Sequence, residues 1–460
     1  MQDDAFKRIL SMARAGATLR AWDAFEASGF ANADQDYRAL TLKGRLLKDR
    51  ASQAPADSKS ALFAAAGRAY EQAAEVGTAS YPLINAAAMA LQAGERLKTV
   101  HLANRVLDLI ESGAEKGETP YWGEATRAEA LLLLGRIEDA KRSLAAAVAL
   151  APNAWEDHAA TLRQFSLILA VLGQEEGWLD RFRPPPAMHY AGILGIAADD
   201  EAAEAAIAEA VKNIGPGFAY GAIAAGADII AAEAALAVGA ELHIILPSDP
   251  QDFRQSSVDP LGSDWGVRFD ALLDAADSLS ICNPAEQTTS AGVALAELHA
   301  MGLVIEKASQ LQARAIALRI EPAGRPAIGD PWFHSGRPMR QVAVEVAPDF
   351  DVERLAAGRL VFDIVSDGSE LASFDTLGDA VAAILSAAGE RAAIGCRITD
   401  SFHVQALLPH SAHGMVAASR TAALALLASG FASRIETIGE MAFPDGPIEI
   451  CLAALVRPPG

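Results

Sequence analysis

Apolar residues recur every three to four positions through about the first 180 residues, and the period then changes. The spacing predicts helices throughout that first stretch. In YWGEATRAEALLLLGRIEDAKRSLAAAVALAPN, the small residues Ala128, Ala140 and Ala147 fall where two antiparallel helices must approach closely. Gly135 lies at the turn between them, and Pro152 ends the second helix. YPLINAAAMALQAGERLKTVHLANRVLDLIES is a looser copy, with Ala87 and Gly94 in matching places. Helical pairs near residues 5–28 and 36–75 complete a short stack, joined by a long connection through ASQAPADSKS.

The three prolines of RFRPPPAMHY, Pro184 to Pro186, cannot continue a helix and mark a boundary. Beyond it strands and helices alternate. MHYAGILGIA, FAYGAIAAG and ELHIILP read as strands, and DDEAAEAAIAEAVKNI and ADIIAAEAALAVG as helices. WGVRFDALLDAA is a further helix, a long one runs through GVALAELHAMGLVIEKASQL, and RAIALRIEP and RQVAVEV are the last strands. Strands separated by helices of this length imply right-handed crossovers and a parallel sheet covered on both faces. From about residue 350 the pattern is mixed: RLVFDIVSDG, AAIGCRITD and PIEICLAALV as strands, TLGDAVAAILSAA and GMVAASRTAALALLASG as helices.

The predicted fold class is therefore α plus α/β. Residues 1–182 form helical repeats, 187–346 a Rossmann-like parallel sheet, and 350–460 a small α+β domain. The first region resembles the tetratricopeptide repeat, whose period is about 34 residues. Generic helical hairpins fit the same spacing. Either arrangement offers a groove for a protein partner or for docking of the neighbouring domain.

Composition narrows the function. The apolar fraction of 51% is that of a globular chain. A formal charge of −21 disfavours nucleic acid and anionic membrane as partners, because both need a basic surface. Cys282, Cys396 and Cys451 are odd in number and far apart, so no disulfide framework is expected. MQDDAFKRIL carries no basic, apolar leader, and the apolar runs are broken by Asp or Glu, so a cytoplasmic location is expected.

The unit GAIAAGADIIAAEAALAVGAELHIILPSDPQDFRQSSV…WGVRF, with GDPWFHSGRP further on, resembles the SMF/LOG-like Rossmannoid (SLOG) superfamily over roughly residues 187–346. The whole order is similar to bacterial proteins that join helical repeats, a SLOG-like domain and a nucleotide-cyclase homology region. Related helical and Rossmannoid segments occur in the TRAFs-binding regulatory region of stress-activated kinase kinase kinases, where they serve protein assembly. The resemblance implies a nucleotide or nucleotide-derived ligand at the C-terminal strand ends, where helix N-termini present N–H groups. The candidate binding residues are Gly192, Gly226, Asp228, Glu233, Arg254, Ser256, Ser257 and Arg268. Asp228 either caps its own helix or meets a ligand. Glu233 is a general acid or base, or a solvated helix residue. Arg254 and Arg268 either clamp a phosphate or brace their loop against Asp252 or Asp264. Relatives often carry a Gly-His pair after the first strand, where this chain has GILGIAADD. The phosphoribohydrolase pattern PGGxGTxxE is absent, which argues against N-glycosidic cleavage.

VFDIVSDGSEL resembles the metal-binding strand of class III nucleotide cyclases, with Asp363 at the ligand position. The second carboxylate and the central signature are missing, so a decayed cyclase fold is expected, in which Asp363 is an ordinary strand-end or turn carboxylate. His403, His410 and His413 lie close together without Cys or a zinc-hydrolase context, and read as loop histidines rather than metal ligands. No catalytic residue, metal or cofactor is expected beyond a nucleotide-like ligand. The leading expectation is a non-enzymatic signalling or scaffold protein, with a C-terminal segment that dimerises or regulates. The rival is a nucleotide-processing enzyme, either a phosphoribohydrolase or a cyclase.

Overall fold

The computed structural model describes the chain except residues 1, 15, 78, 114–118, 284–286, 323–330, 346–354, 388–390, 399–403, 413, 444–445 and 457–460. The chain divides into two compact units, Met1–Pro184 and Pro185–Gly460.

The first unit is helical among the described residues. It runs through α1 (Gln2–Arg14), α2 (Thr18–Ala27), α3 (Tyr37–Gln53), α4 (Ala56–Val76), α5 (Ser80–Gln92), α6 (Arg96–Ser112), α7 (Pro120–Leu133), α8 (Ile137–Leu150) and α9 (Trp155–Leu172). Helices α3 to α8 pack as successive antiparallel pairs. Gly94 and Gly135 both take positive φ at the tight turns of the second and third pairs, which only glycine adopts without strain. The segment ASQAPADSKS is not a long connection. Both helices run into it, Pro55 occupies the N-cap of α4, and only residues 54 and 55 lie between them. Proline fits there because a helix start has no use for its missing N–H. One apolar core extends from Leu47 through Ala87, Leu132 and Leu144 to Phe165 and Phe182.

The second unit opens with β1 (Ala187–Ala191), α10 (Glu201–Ile214), β2 (Phe218–Gly221), α11 (Ala227–Ala237), β3 (Glu241–Leu246), α12 (Pro250–Ser257), α13 (Ser263–Ala275), β4 (Ser278–Ile281), α14 (Ser290–Leu311), β5 (Ala315–Pro322), α15 (Pro331–His334) and β6 (Met339–Val344). These strands form a parallel sheet in the order β4-β3-β2-β1-β5-β6. The order reverses between β1 and β5, which makes their C-terminal ends the topological switch point. Strand β4, SLSI, escapes a reading by hydrophobic pattern because two of its four residues are serine and it lies at the sheet edge. The stretch FRQSSV belongs to α12, started by the Asp249 side chain accepting the Gln251 N–H.

A second sheet follows: β7 (Val361–Ser366), β8 (Ala372–Phe374), α16 (Leu377–Ser386), β9 (Ala392–Arg397), β10 (Val416–Ser419), α17 (Arg420–Ala428), β11 (Ala432–Phe443) and β12 (Gly446–Leu455). Its order is β11-β12-β10-β9-β7-β8, with β9 and β10 parallel and the other neighbours antiparallel. The stretch GMVAASRTAALALLASG is therefore a strand followed by a helix, divided at Ser419, whose hydroxyl caps α17. The long α14 packs against the parallel sheet and also against α17. Gly302 makes the second contact close, since a Cβ there would sit 2.5 Å from the Leu424 carbonyl oxygen. The molecule is thus an α plus α/β protein with tetratricopeptide-like helices.

Candidate functional site

The sheet's switch point lies where β1 ends. Gly192 follows it, and a Cβ at that position would meet the Ala227 Cβ at 2.3 Å and the Ile320 Cβ at 2.9 Å. Only glycine lets the start of α11 and the end of β5 close on β1. Gly226 is the N-cap of α11 with φ of +95°, and its own Cβ position is 2.9 Å from the Ile193 carbonyl. The turn that these two glycines permit brings Asp228 over the end of β1.

Asp228 does not act as the N-cap of its own helix. Its Oδ1 accepts the backbone N–H of Gly192 at 2.9 Å. Burial lifts its carboxyl to about 7, and the nearby Glu297 adds to the rise; the backbone donors of Gly192 and Ala224 and the charge of Arg319 oppose it. The neighbouring Tyr190 is fully buried, its hydroxyl has no hydrogen-bond partner among the described residues, and burial, then Asp228, raise it well above the usual phenol range.

On the opposite sheet face a polar pair crosses the switch point. Arg319 of β5 is 4% exposed and its guanidinium lies 2.7 Å from Nδ1 of the buried His189 on β1. Burial, then Arg319, push His189 well below its ordinary value, so the ring is neutral and Nδ1 accepts. Glu297 of α14 lies 3.7 Å from Arg319, and the Trp332 ring stacks parallel to His189. Sequence reading passed over His189, Tyr190, Glu297, Arg319 and Trp332. The signal available was a charged or polar residue inside each otherwise apolar central strand, AMHYA and AIALRIEP.

The two candidate arginines are not at this point. Arg254 donates to Asp259 at 2.9 Å and to Asp270 at 2.6 Å. Arg268 forms a two-point pair with Glu233, at 2.9 and 2.5 Å, and reaches Glu204 at 2.8 Å. Each guanidinium therefore sits between two carboxylates, though neither partner is the Asp252 or Asp264 expected from the sequence. Glu233 is the Arg268 partner on the outer side of α11. Ser256 donates to the Phe253 carbonyl, and the buried Ser257 offers its own carbonyl to the Ala225 N–H, tying α12 to the turn before α11. Of the eight candidates, Gly192, Gly226 and Asp228 converge; Glu233 and Arg268 pair elsewhere; Arg254, Ser256 and Ser257 belong to α12.

Asp363 lies within β7, not at a turn, and is buried. Arg397 Nε approaches it at 2.5 Å and the Ser373 hydroxyl donates at 2.6 Å. His410 ends a short helical turn, while His403 and His413 lie outside the described residues. Among the described residues no three His, Cys, Asp or Glu side chains group as metal ligands, and no helix is long and apolar enough to cross a membrane.

Residues 3–92 match the family described as Tetratricopeptide Repeats-Sensor. The match covers α1 to α5 and lies upstream of the stretch in which the repeat is most readable by eye. None of the curated proteins matches the chain. Among solved structures, an O-GlcNAc transferase mutant from Thermobaculum terrenum is similar at 12% identity and a TM-score of 0.21, over 68% of this chain and 60% of that one. The chain thus spans about three-fifths of the length of that structure.

Proposed function

We propose that this protein is a non-enzymatic signalling or scaffold protein. Its helical repeats hold a protein partner, and its parallel sheet, a SLOG-like domain over residues 187–346, reads a nucleotide-derived ligand at the switch point. Residues 350–460 serve as a regulatory or dimerising segment of cyclase ancestry. The repeat match over residues 3–92 supports the partner-binding role.

One observation carries the reading of the sheet. Where a phosphate would need free N–H groups and cations, the chain has satisfied its own: Gly192 N–H binds Asp228, and Arg254 and Arg268 are each held by paired carboxylates. Asp228 at the helix start, lifted by burial to about 7, offers a phosphate no cation and repels it once ionised, whereas its carboxyl oxygens accept hydroxyl donors. A ribose-like hydroxyl pair suits such a site, with the phosphates turned outward. The Arg397–Asp363 pair likewise supports a non-catalytic C-terminal segment, because a carboxylate engaged by a guanidinium and a hydroxyl is a poor cation ligand.

A thermal-shift series with nucleosides, nucleotides and dinucleotides tests the reading. A ligand in hundredfold excess over its dissociation constant adds about 2.7 kcal/mol of stability. The expected result is a magnesium-independent stabilisation that Asp228→Ala abolishes. Release of free base or formation of a cyclic nucleotide on incubation with magnesium would overturn it in favour of a nucleotide-processing enzyme.

A further inference from the structure

In a stack of helix pairs each pair meets only its neighbours, and the curve of the stack leaves a concave face open. Here α5 and α7 touch directly, which places the first helix of each pair on the inner side of the curve. An inner helix in mid-stack should then show one face to solvent. Instead every residue of α5 from Pro82 to Leu91 is buried.

Helix α9 supplies the cover. It packs on both α7 and α5, one pair further back than stacking alone allows. Through Gln164 it reaches α3 as well, where Lys48 Nζ donates to Gln164 Oε1 at 3.4 Å. Among its buried side chains, Leu162, Phe165, Ile168 and Leu169 repeat at helical spacing and form one stripe within the core shared with the inner helices.

The floor under that stripe is not purely apolar. Lys48 also donates to Asn85 at 3.3 Å, and Gln164 donates to Glu129 at 3.1 Å. Lys48 of α3 and Glu129 of α7 thus meet at one glutamine of α9, and Asn85 of α5 joins them through Lys48. Asn85 is buried and the other three are half-buried; polar groups withdrawn from water are costly in a permanent core but give a binding groove its register. The segment also has pivots at both ends: Ala151–Ala154 before it, and Gly173 in the left-handed region after it.

We infer that α9 is a built-in occupant of the concave groove, seated where an amphipathic partner helix of the same pattern docks, so that partner binding displaces α9. This rests on the protein-binding reading of the repeats.

Hydrogen exchange on the full chain is the first test. The α9 amides should exchange at least tenfold faster than those of α5 and α7. A labelled peptide of residues 155–172 should then bind the full chain carrying Phe165→Asp and Ile168→Asp at least tenfold more tightly than wild type, and adding Lys48→Glu should reverse the gain. Equal protection of α9, α5 and α7 overturns the inference, since a displaceable helix must open on its own. Collapse of the repeats in the loosened variant, or a folded variant that ignores the peptide, overturns it too. Because both readouts use the chain's own sequence, they fail independently of whether an external partner is found.

Discussion

Gly192 donates its backbone N–H to Asp228 across 2.9 Å, joining the end of β1 to the first turn of α11. The bond lies at the one place in the parallel sheet where strand order reverses, and it satisfies internally a donor that a bound anion would otherwise use. Asp228 is also the group there whose protonation changes near neutral pH.

Asp228→Asn should therefore alter stability in a pH-dependent way. An aspartate in the unfolded chain titrates near 3.9, whereas burial places Asp228 at about 7 in the fold. The folded state binds the proton more tightly, so this group's contribution falls as pH rises from about 4 to about 7. The Asn variant should gain on wild type over that window, with most of the gain reached by pH 8. Denaturant midpoints at pH 5 and pH 8 measure it, and an identical difference at both pH values contradicts the assignment.

Gly192→Ala tests the close approach. The added methyl would lie 2.3 Å from the Ala227 Cβ and 2.9 Å from the Ile320 Cβ, and neither neighbour is a flexible side-chain end. A cost of about 3 kcal/mol is expected, at the upper end for overpacking. Urea unfolding of the variant checks the value, and a cost under about 1 kcal/mol would show that α11 yields.

Glu129 carries the same sign of linkage in the helical unit. Burial lifts its carboxyl to about 7, against the opposing pull of Lys48 and Gln164. Its contribution falls as pH rises through the interval from about 4.3, the ordinary glutamate value, to about 7. Glu129→Gln should raise the melting temperature more at pH 8 than at pH 5. Scanning calorimetry at the two pH values decides this.

Arg420 of α17 and Glu306 of α14 form a two-point pair, each side chain about one-fifth exposed, at the contact between the helices that back the two sheets. Arg420→Met leaves Glu306 without this partner and should cost about 2–3 kcal/mol, whereas replacing both residues by Met should recover most of the loss. The double-mutant cycle is read by chemical unfolding. Equal losses in the single and double variants would mean that packing, rather than the ion pair, matters there.

Local order in this protein is written in the sequence. The 3.6 periodicity up to about residue 180, the glycine turns at Gly94 and Gly135, the proline stop at Pro184 to Pro186 and the alternation after it all depend on chain-local sterics and on which positions are apolar. The helix start at Gly226 and Asp228 is legible for the same reason, since a small-residue turn followed by an acid marks one, whereas Gly192 is legible only as a glycine after the first strand. Four features needed the tertiary structure. Strand β4 carries half serine, so its pattern is silent. The partners of Arg254 and Arg268 are set by how α12 and α13 fold over α11. His189 and Arg319 meet only because β1 and β5, more than a hundred residues apart, become sheet neighbours. The fit of α9 against α5 follows from the curvature of the stack. Periodicity says which side of a helix is buried; what buries it is decided by long-range packing, which no local pattern encodes.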